Sequence, residues 1–70
     1  MNASMIGRNI KRLREEKKIT QQQLADALGI TYQAVSKWEC GTTLPDVTIL
    51  PLIAEYFCVS IDSLFMENRL

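Results

Sequence analysis

The sequence predicts an all-α fold of five short helices, and three observations carry that prediction. Apolar residues recur at the three- and four-residue spacing of a helix face, and nothing alternates strictly over five residues outside a better helical pattern. Thr20, Thr31, Asp46 and Ser60 each stand just ahead of an apolar run, where a side-chain oxygen can take up a free N–H of the first helical turn. A chain of 70 residues makes one domain at most, expected to span 1–70 with its core at about 6–65.

The first helix is expected at about residues 5–18, because Ile6, Ile10 and Leu13 fall on one face while Arg8, Lys11, Arg12, Glu15 and Lys18 cover the others. The second is expected at about 21–28. Thr20 is its N-cap, Gln23 completes a capping box, and Leu24, Ala25 and Leu28 form its inward face. Gly29 ends it in the left-handed conformation that residues with a side chain disfavour. The third, at about 32–39, has Thr31 as N-cap and Val35 and Trp38 turned inward. The loop "CGTTLPD" follows, closed by Pro45. The fourth helix is expected at about 47–57 with Asp46 as its cap. Leu50, Ile53, Ala54 and Phe57 face the core, and Pro51 falls near the first turn, where a missing N–H costs least. The fifth is short, about 61–66, capped by Ser60 and carrying Ile61, Leu64 and Phe65.

A core this small is held by disulfides, a metal, oligomerisation or dense helix packing. Cys40 and Cys58 form no cysteine framework, which fits a reducing compartment, and the cytoplasm is the expected location. There is no His and no CxxC spacing, so neither a metal nor a cofactor is expected. No apolar run approaches the roughly 18 residues that span a bilayer, and the start "MNASMIG" lacks the basic-then-apolar order of an export signal. Helix packing remains. The formal net charge is zero but divides unevenly: residues 1–45 balance to +3 and residues 46–70 to −3. That polarity fits either an anionic partner for the first half or a solvated helix face.

Residues 20–39, "TQQQLADALGITYQAVSKWE", hold two short helices around one glycine, a helix-turn-helix arrangement. Counted from Gln21, Leu24 is fourth, Ala25 fifth, Leu28 eighth, Gly29 ninth, Ile30 tenth, Val35 fifteenth and Trp38 eighteenth. The small residue at the fifth position lets the two helices approach, the glycine permits the turn, and the apolar positions fix both helices to the rest of the domain. In this frame the segments "IGRNIKRLREEKKITQQQLA", "LGITYQAVSKWECG", "LPDVTILPLIAEYF" and "VSIDSLF" resemble the phage-repressor and Cro-like (XRE-like) helix-turn-helix family, from about Ile6 to Phe65.

The resemblance implies a compact five-helix, lambda-repressor-like domain that binds double-stranded operator DNA, usually as a homodimer. It places the third helix in the major groove, with Gln33 and Lys37 set to read base edges and Tyr32 and Ser36 beside them. Tyr32 stands where many relatives have Arg or Gln; it cannot make a bidentate base contact, which leaves a phosphate or a thymine methyl. Gln21 matches the position whose side chain meets a phosphate, and Gln22 lies beside it. Arg8, Lys11, Arg12, Lys17 and Lys18 form either a phosphate fringe, with Arg8 and Lys18 as its first candidates, or a solvated face, and Thr42 and Thr43 are either backbone contacts or ordinary residues of the loop after the third helix. Arg14 and Glu39 match positions that form an ion pair. Cys58 stands where relatives often have glycine, which predicts a backbone near the left-handed region. Phe65, Met66 and Leu70, with Leu44, are the candidate dimer surface.

The expected function is therefore sequence-specific DNA binding by a transcriptional regulator, acting as a repressor. The alternative is a helix-turn-helix domain used as a protein-interaction or antitoxin-like module, which the zero net charge favours. An enzyme is not expected: there is no His, no nucleophile with a base in pattern, no phosphate-cradling glycine loop and no paired carboxylates on one helix face.

Overall fold

The computed structural model describes residues 3–66. Within them lie five helices in chain order: α1 (Ala3–Glu16), α2 (Gln21–Leu28), α3 (Tyr32–Glu39), α4 (Leu50–Phe57) and α5 (Ile61–Leu64). Helix α3 packs on α1 and α2, α5 on α1 and α4, and α2 touches α4. Their shared core is Ile6, Ile10, Leu24, Ala25, Val35, Trp38, Ile53, Ala54 and Leu64, all buried. Leu13, Ile19, Leu28, Ile30, Leu50, Phe57, Val59 and Phe65 pack around it. Trp38 is inward, as its helix position requires.

Four helices end in one recurring corner. The residue in the left-handed region is Lys18 after α1, Gly29 after α2, Gly41 after α3 and Cys58 after α4. In each corner the next residue's N–H reaches back five residues: Ile19 to Arg14 O (3.3 Å), Ile30 to Ala25 O (3.0 Å), Thr42 to Lys37 O (2.9 Å) and Val59 to Ala54 O (3.0 Å). Carbonyls that would otherwise be orphaned at a helix end are thereby used. In three corners a hydroxyl residue then caps the next helix. The side chains of Thr20, Thr31 and Ser60 accept from the N–H groups of Gln23, Ala34 and Ser63. Lys18-Ile19-Thr20, Gly29-Ile30-Thr31 and Cys58-Val59-Ser60 are thus one connector used three times, its middle residue packed against the core. The capping box of α2 is complete, with Gln23 Oε1 accepting from the Thr20 N–H at 2.8 Å.

Four boundaries in three helices differ from the sequence expectation, the first being that α1 begins at Ala3 rather than at residue 5. Helix α1 was expected at 5–18 but ends at Glu16, because Lys18 turns left-handed (φ 61°) and closes the helix. Helix α4 begins at Leu50 rather than at residue 47, and Asp46 does not cap it. The Asp46 carboxylate instead accepts from the Val47 N–H (2.9 Å) and the Thr48 hydroxyl (2.8 Å), and its carbonyl takes the Ile49 N–H, building a separate turn ahead of the helix. Ile49 occupies the N-cap position without a side-chain bond, and Pro51 falls in the first turn. Helix α5 stops at Leu64 rather than at residue 66. Its terminal carbonyls are held from α1, where Asn9 Nδ2 donates to Leu64 O (2.8 Å) and Met66 O (2.9 Å). Asn9 is itself buried, so these bonds are what make its place in the core affordable.

Candidate nucleic-acid interface

The crossing of α1 over the end of α3 sets the site. Gly7, buried in α1, lies so close to α3 that a Cβ there would stand 1.9 Å from the Trp38 carbonyl oxygen. One helical turn pair further along α1, Arg14 meets Glu39 side by side: Nε donates to Oε2 at 2.7 Å and Nη2 to Oε1 at 3.0 Å. The third arm, Nη1, donates to Ile19 O at 2.8 Å. The two side chains retain 12% and 3% of their exposure, which makes this pair far drier than an ordinary surface bridge. The Glu39 hydrogen bonds hold the Arg14 guanidinium's pKa above its ordinary value, against the opposing pull of burial. As far as Arg14's own ionisation goes, a raised folded pKa leaves this stabilisation fully present below the ordinary arginine range. It is lost only as pH rises through the folded value, far into alkali.

Glu39 has a second partner that the sequence did not indicate. Gln21 Nε2 donates to Glu39 Oε1 at 3.0 Å, so the first residue of α2 is tied to the last of α3. Gln22 is tied as well, through Nε2 to Asp26 Oδ1 at 2.8 Å. An open groove at this end of the molecule is lined by Arg14, Ile19, Thr20, Gln21, Gln22 and Tyr32. Tyr32, grouped by sequence with the base-reading residues, therefore sits beside the N-terminus of α2.

Along α3, Gln33 and Lys37 are exposed and one turn apart, with Ser36 half-buried next to Lys37. Among the described residues no side chain bonds to Gln33 or Lys37. Thr42 and Thr43 are exposed, and their N–H groups close the end of α3 on the Lys37 carbonyl (2.9 and 3.4 Å). The basic residues of the first half sort by partner. Arg12 pairs with Glu16 at 3.1 Å, and Lys17 Nζ lies 5.2 Å from the centre of the Tyr56 ring. Arg8, Lys11 and Lys18 are exposed and, among the described residues, without a side-chain partner. Asn9 and Gly7 were missed by sequence reasoning. Each had a signal: a polar residue inside the Ile6–Ile10–Leu13 stripe, and a glycine inside a helix. The Gln21–Glu39 bond had none, because its ends lie on different helices.

A helix-turn-helix family model matches residues 10–64. The chain is 43% identical over 60 residues to the uncharacterized HTH-type transcriptional regulator YqaE of Bacillus subtilis, covering 86% of this chain and 52% of that protein. It is 39% identical over 61 residues to the HTH-type transcriptional activator BcrR of Enterococcus faecalis, covering 87% of this chain and 30% of that one. The chain thus spans about half or less of these two relatives. Its fold superposes on the P22 c2 repressor, crystallised with a synthetic operator, with a TM-score of 0.80 and 30% identity over 84% of this chain and 89% of that one. With the glycine corner, the capped helix pair and the inward Val35 and Trp38 all in place, the chain belongs to the helix-turn-helix family, in its phage-repressor and Cro-like branch.

Proposed function

We propose that this protein is a sequence-specific DNA-binding transcriptional regulator that reads the major groove with α3. The carrying observation is a contrast among glutamines. In residues 20–39, Gln21, Gln22 and Gln23 each spend a side-chain amide inside the protein, whereas Gln33 is exposed and, among the described residues, bonded to nothing. An amide with two donors and an acceptor left open on the outer face of a rigid helix is suited to the paired hydrogen bonds that select adenine. Lys37 offers guanine a donor from the same face, and Ser36 stands between them.

Gln21, Gln22, Arg8, Lys18, Thr42 and Thr43 are assigned to the phosphate backbone, where contacts set register and general affinity. Tyr32 joins this set because it shares the groove at the α2 N-terminus. The domain acts as a homodimer on DNA, with the exposed Leu44 (53%) and Met66 (60%) beside half-buried Phe65 as the candidate contact. Leu70, assigned to the same surface, lies outside the described residues. Repression in the cytoplasm is the role we assign, and a reporter assay at the selected operator tests it.

The test starts from selection of bound sequences out of a random DNA pool. Gln33→Ala should weaken binding to the selected operator by roughly 1–3 kcal/mol and relax preference at one base pair. Arg8→Ala or Lys18→Ala should weaken operator and scrambled duplexes alike and flatten the salt dependence by about one unit. If Gln33→Ala lowers both affinities by the same factor, α3 is not the reader. If the parent binds no duplex, the protein-interaction role replaces this one. Footprinting should protect two half-sites about 34 Å apart; protection of a single half-site at saturation argues against the dimer.

A further inference from the structure

We infer that Glu39 is a positioning residue for DNA binding, holding the Gln21 carboxamide in one orientation for a backbone phosphate. The inference rests on the DNA reading above and goes beyond it, since the Glu39 side chain is almost wholly buried and acts only through Gln21. Three observations support it. Gln21 Nε2 lies 3.0 Å from Glu39 Oε1, and a carboxylate can only accept, so the amide cannot flip without setting oxygen against oxygen. The carboxylate is in turn clamped by Arg14 through two bonds of 2.7 and 3.0 Å and is almost wholly buried, so it cannot follow a swinging amide. The same clamp offsets the carboxylate's charge, which would otherwise repel a phosphate approaching Gln21.

The outcome at the N-terminus of α2 is a fixed set of donors. Thr20 already occupies the N–H groups of Gln23 and Leu24. The N–H groups of Gln21 and Gln22 remain as the open donors of the first turn, together with the second Nε2–H of Gln21. Gln21 and Gln22 line the groove that Tyr32 shares. A free glutamine would have its side-chain torsions frozen as DNA docks; here they are already frozen, and preorganisation of one such side chain is worth about three- to tenfold in affinity. An ion pair whose business is only to tie α1 to α3 would need no bond to Gln21.

Two measurements test this. In the DNA-free parent, side-chain nitrogen relaxation should find the Gln21 carboxamide ordered and that of Gln33 mobile. A Gln21 carboxamide as mobile as that of Gln33 overturns the inference. Operator and scrambled-duplex affinities are then measured for the parent, Gln21→Ala, Glu39→Gln and the double variant, each shown to be folded by circular dichroism. Each single change should weaken both duplexes by about three- to tenfold, and the double should be no weaker than the worse single, since the two act through one contact. Multiplicative losses in the double variant would mean that Glu39 acts on binding independently of Gln21 and would overturn the positioning role. Should Glu39→Gln fail to fold, the parent's relaxation data and the Gln21→Ala affinities decide: an ordered carboxamide whose removal weakens both duplexes supports the role, and an unchanged affinity overturns it. A parent that binds neither duplex removes the DNA reading and this role together, whereas multiplicative losses in a binding parent remove only the role.

Discussion

Gly7 lies inside α1 where that helix crosses the end of α3, and Gly29 lies at the corner between α2 and α3. Both are glycines at helix junctions, and they are needed for different reasons. Gly7 has ordinary helical backbone, and a Cβ there would run into the Trp38 carbonyl at 1.9 Å. Gly29 has φ 72°, and a Cβ built on it meets nothing within 4 Å. The first is a requirement for space imposed by a distant part of the chain; the second is a requirement for a torsion angle imposed locally. The other corners show how soft the second requirement is, since Lys18 and Cys58 adopt the same left-handed region with side chains attached. A close approach of two backbones has no such tolerance, because neither side can give way.

The strongest way to break this contrast is Gly7→Ala. The added methyl faces backbone rather than a movable side chain, so α1 must lift from α3. A loss of at least about 3 kcal/mol is expected, or roughly 12–24 °C in Tm for a domain of this size. A loss under 1 kcal/mol (an order-of-magnitude threshold) would mean that the crossing adapts freely. Glu39→Gln probes the polar tie at the same crossing. Its expected cost of about 2–3 kcal/mol lies between that of an exposed pair and that of a fully buried one. Urea unfolding reads it, and a loss below about half a kilocalorie would place the pair with surface bridges.

The corner variants come next. Gly29→Ala should cost only about 1 kcal/mol, the steric penalty of a side chain at positive φ with no clash added. A much larger loss would mean that the corner, like the crossing, is sterically closed. Cys58→Gly is the same exchange in reverse on an exposed residue. It should be neutral or stabilise by up to about 1 kcal/mol, the relieved strain being partly offset by the looser unfolded chain. A clear destabilisation would show that the Cys58 side chain contributes packing that the corner needs.

How far each feature could be read in advance follows from the same division. Gly29, the capping box at Thr20 and Gln23 and the caps at Thr31 and Ser60 were all legible, because each depends on residues within five positions of itself, whereas the left-handed Cys58 was legible only through the family resemblance. Where a local signal had two uses, the sequence reading chose wrongly. Asp46 can cap a helix or hold a turn, and it holds the turn ahead of Ile49. Lys18 reads as one more exposed helical residue, yet it is where α1 turns out of its helix. The candidate interface divides likewise. Gln33 and Lys37 share one face by helical spacing, and the resemblance turned that face outward, whereas the place of Tyr32 beside the N-terminus of α2 was not legible in the sequence.

By itself the sequence determined five helices, the caps of α2, α3 and α5, the glycine corner and the two faces of α3, since hydrophobic period and capping chemistry act within a few residues. Only the tertiary structure decided that Asn9 would end α5 from across the core, that Gly7 would admit the Trp38 carbonyl, and that Glu39 would bind Arg14 and Gln21 together. Those contacts join residues far apart in the chain. Which partners meet is set by how the packed helices fall against one another, a property that no local pattern carries.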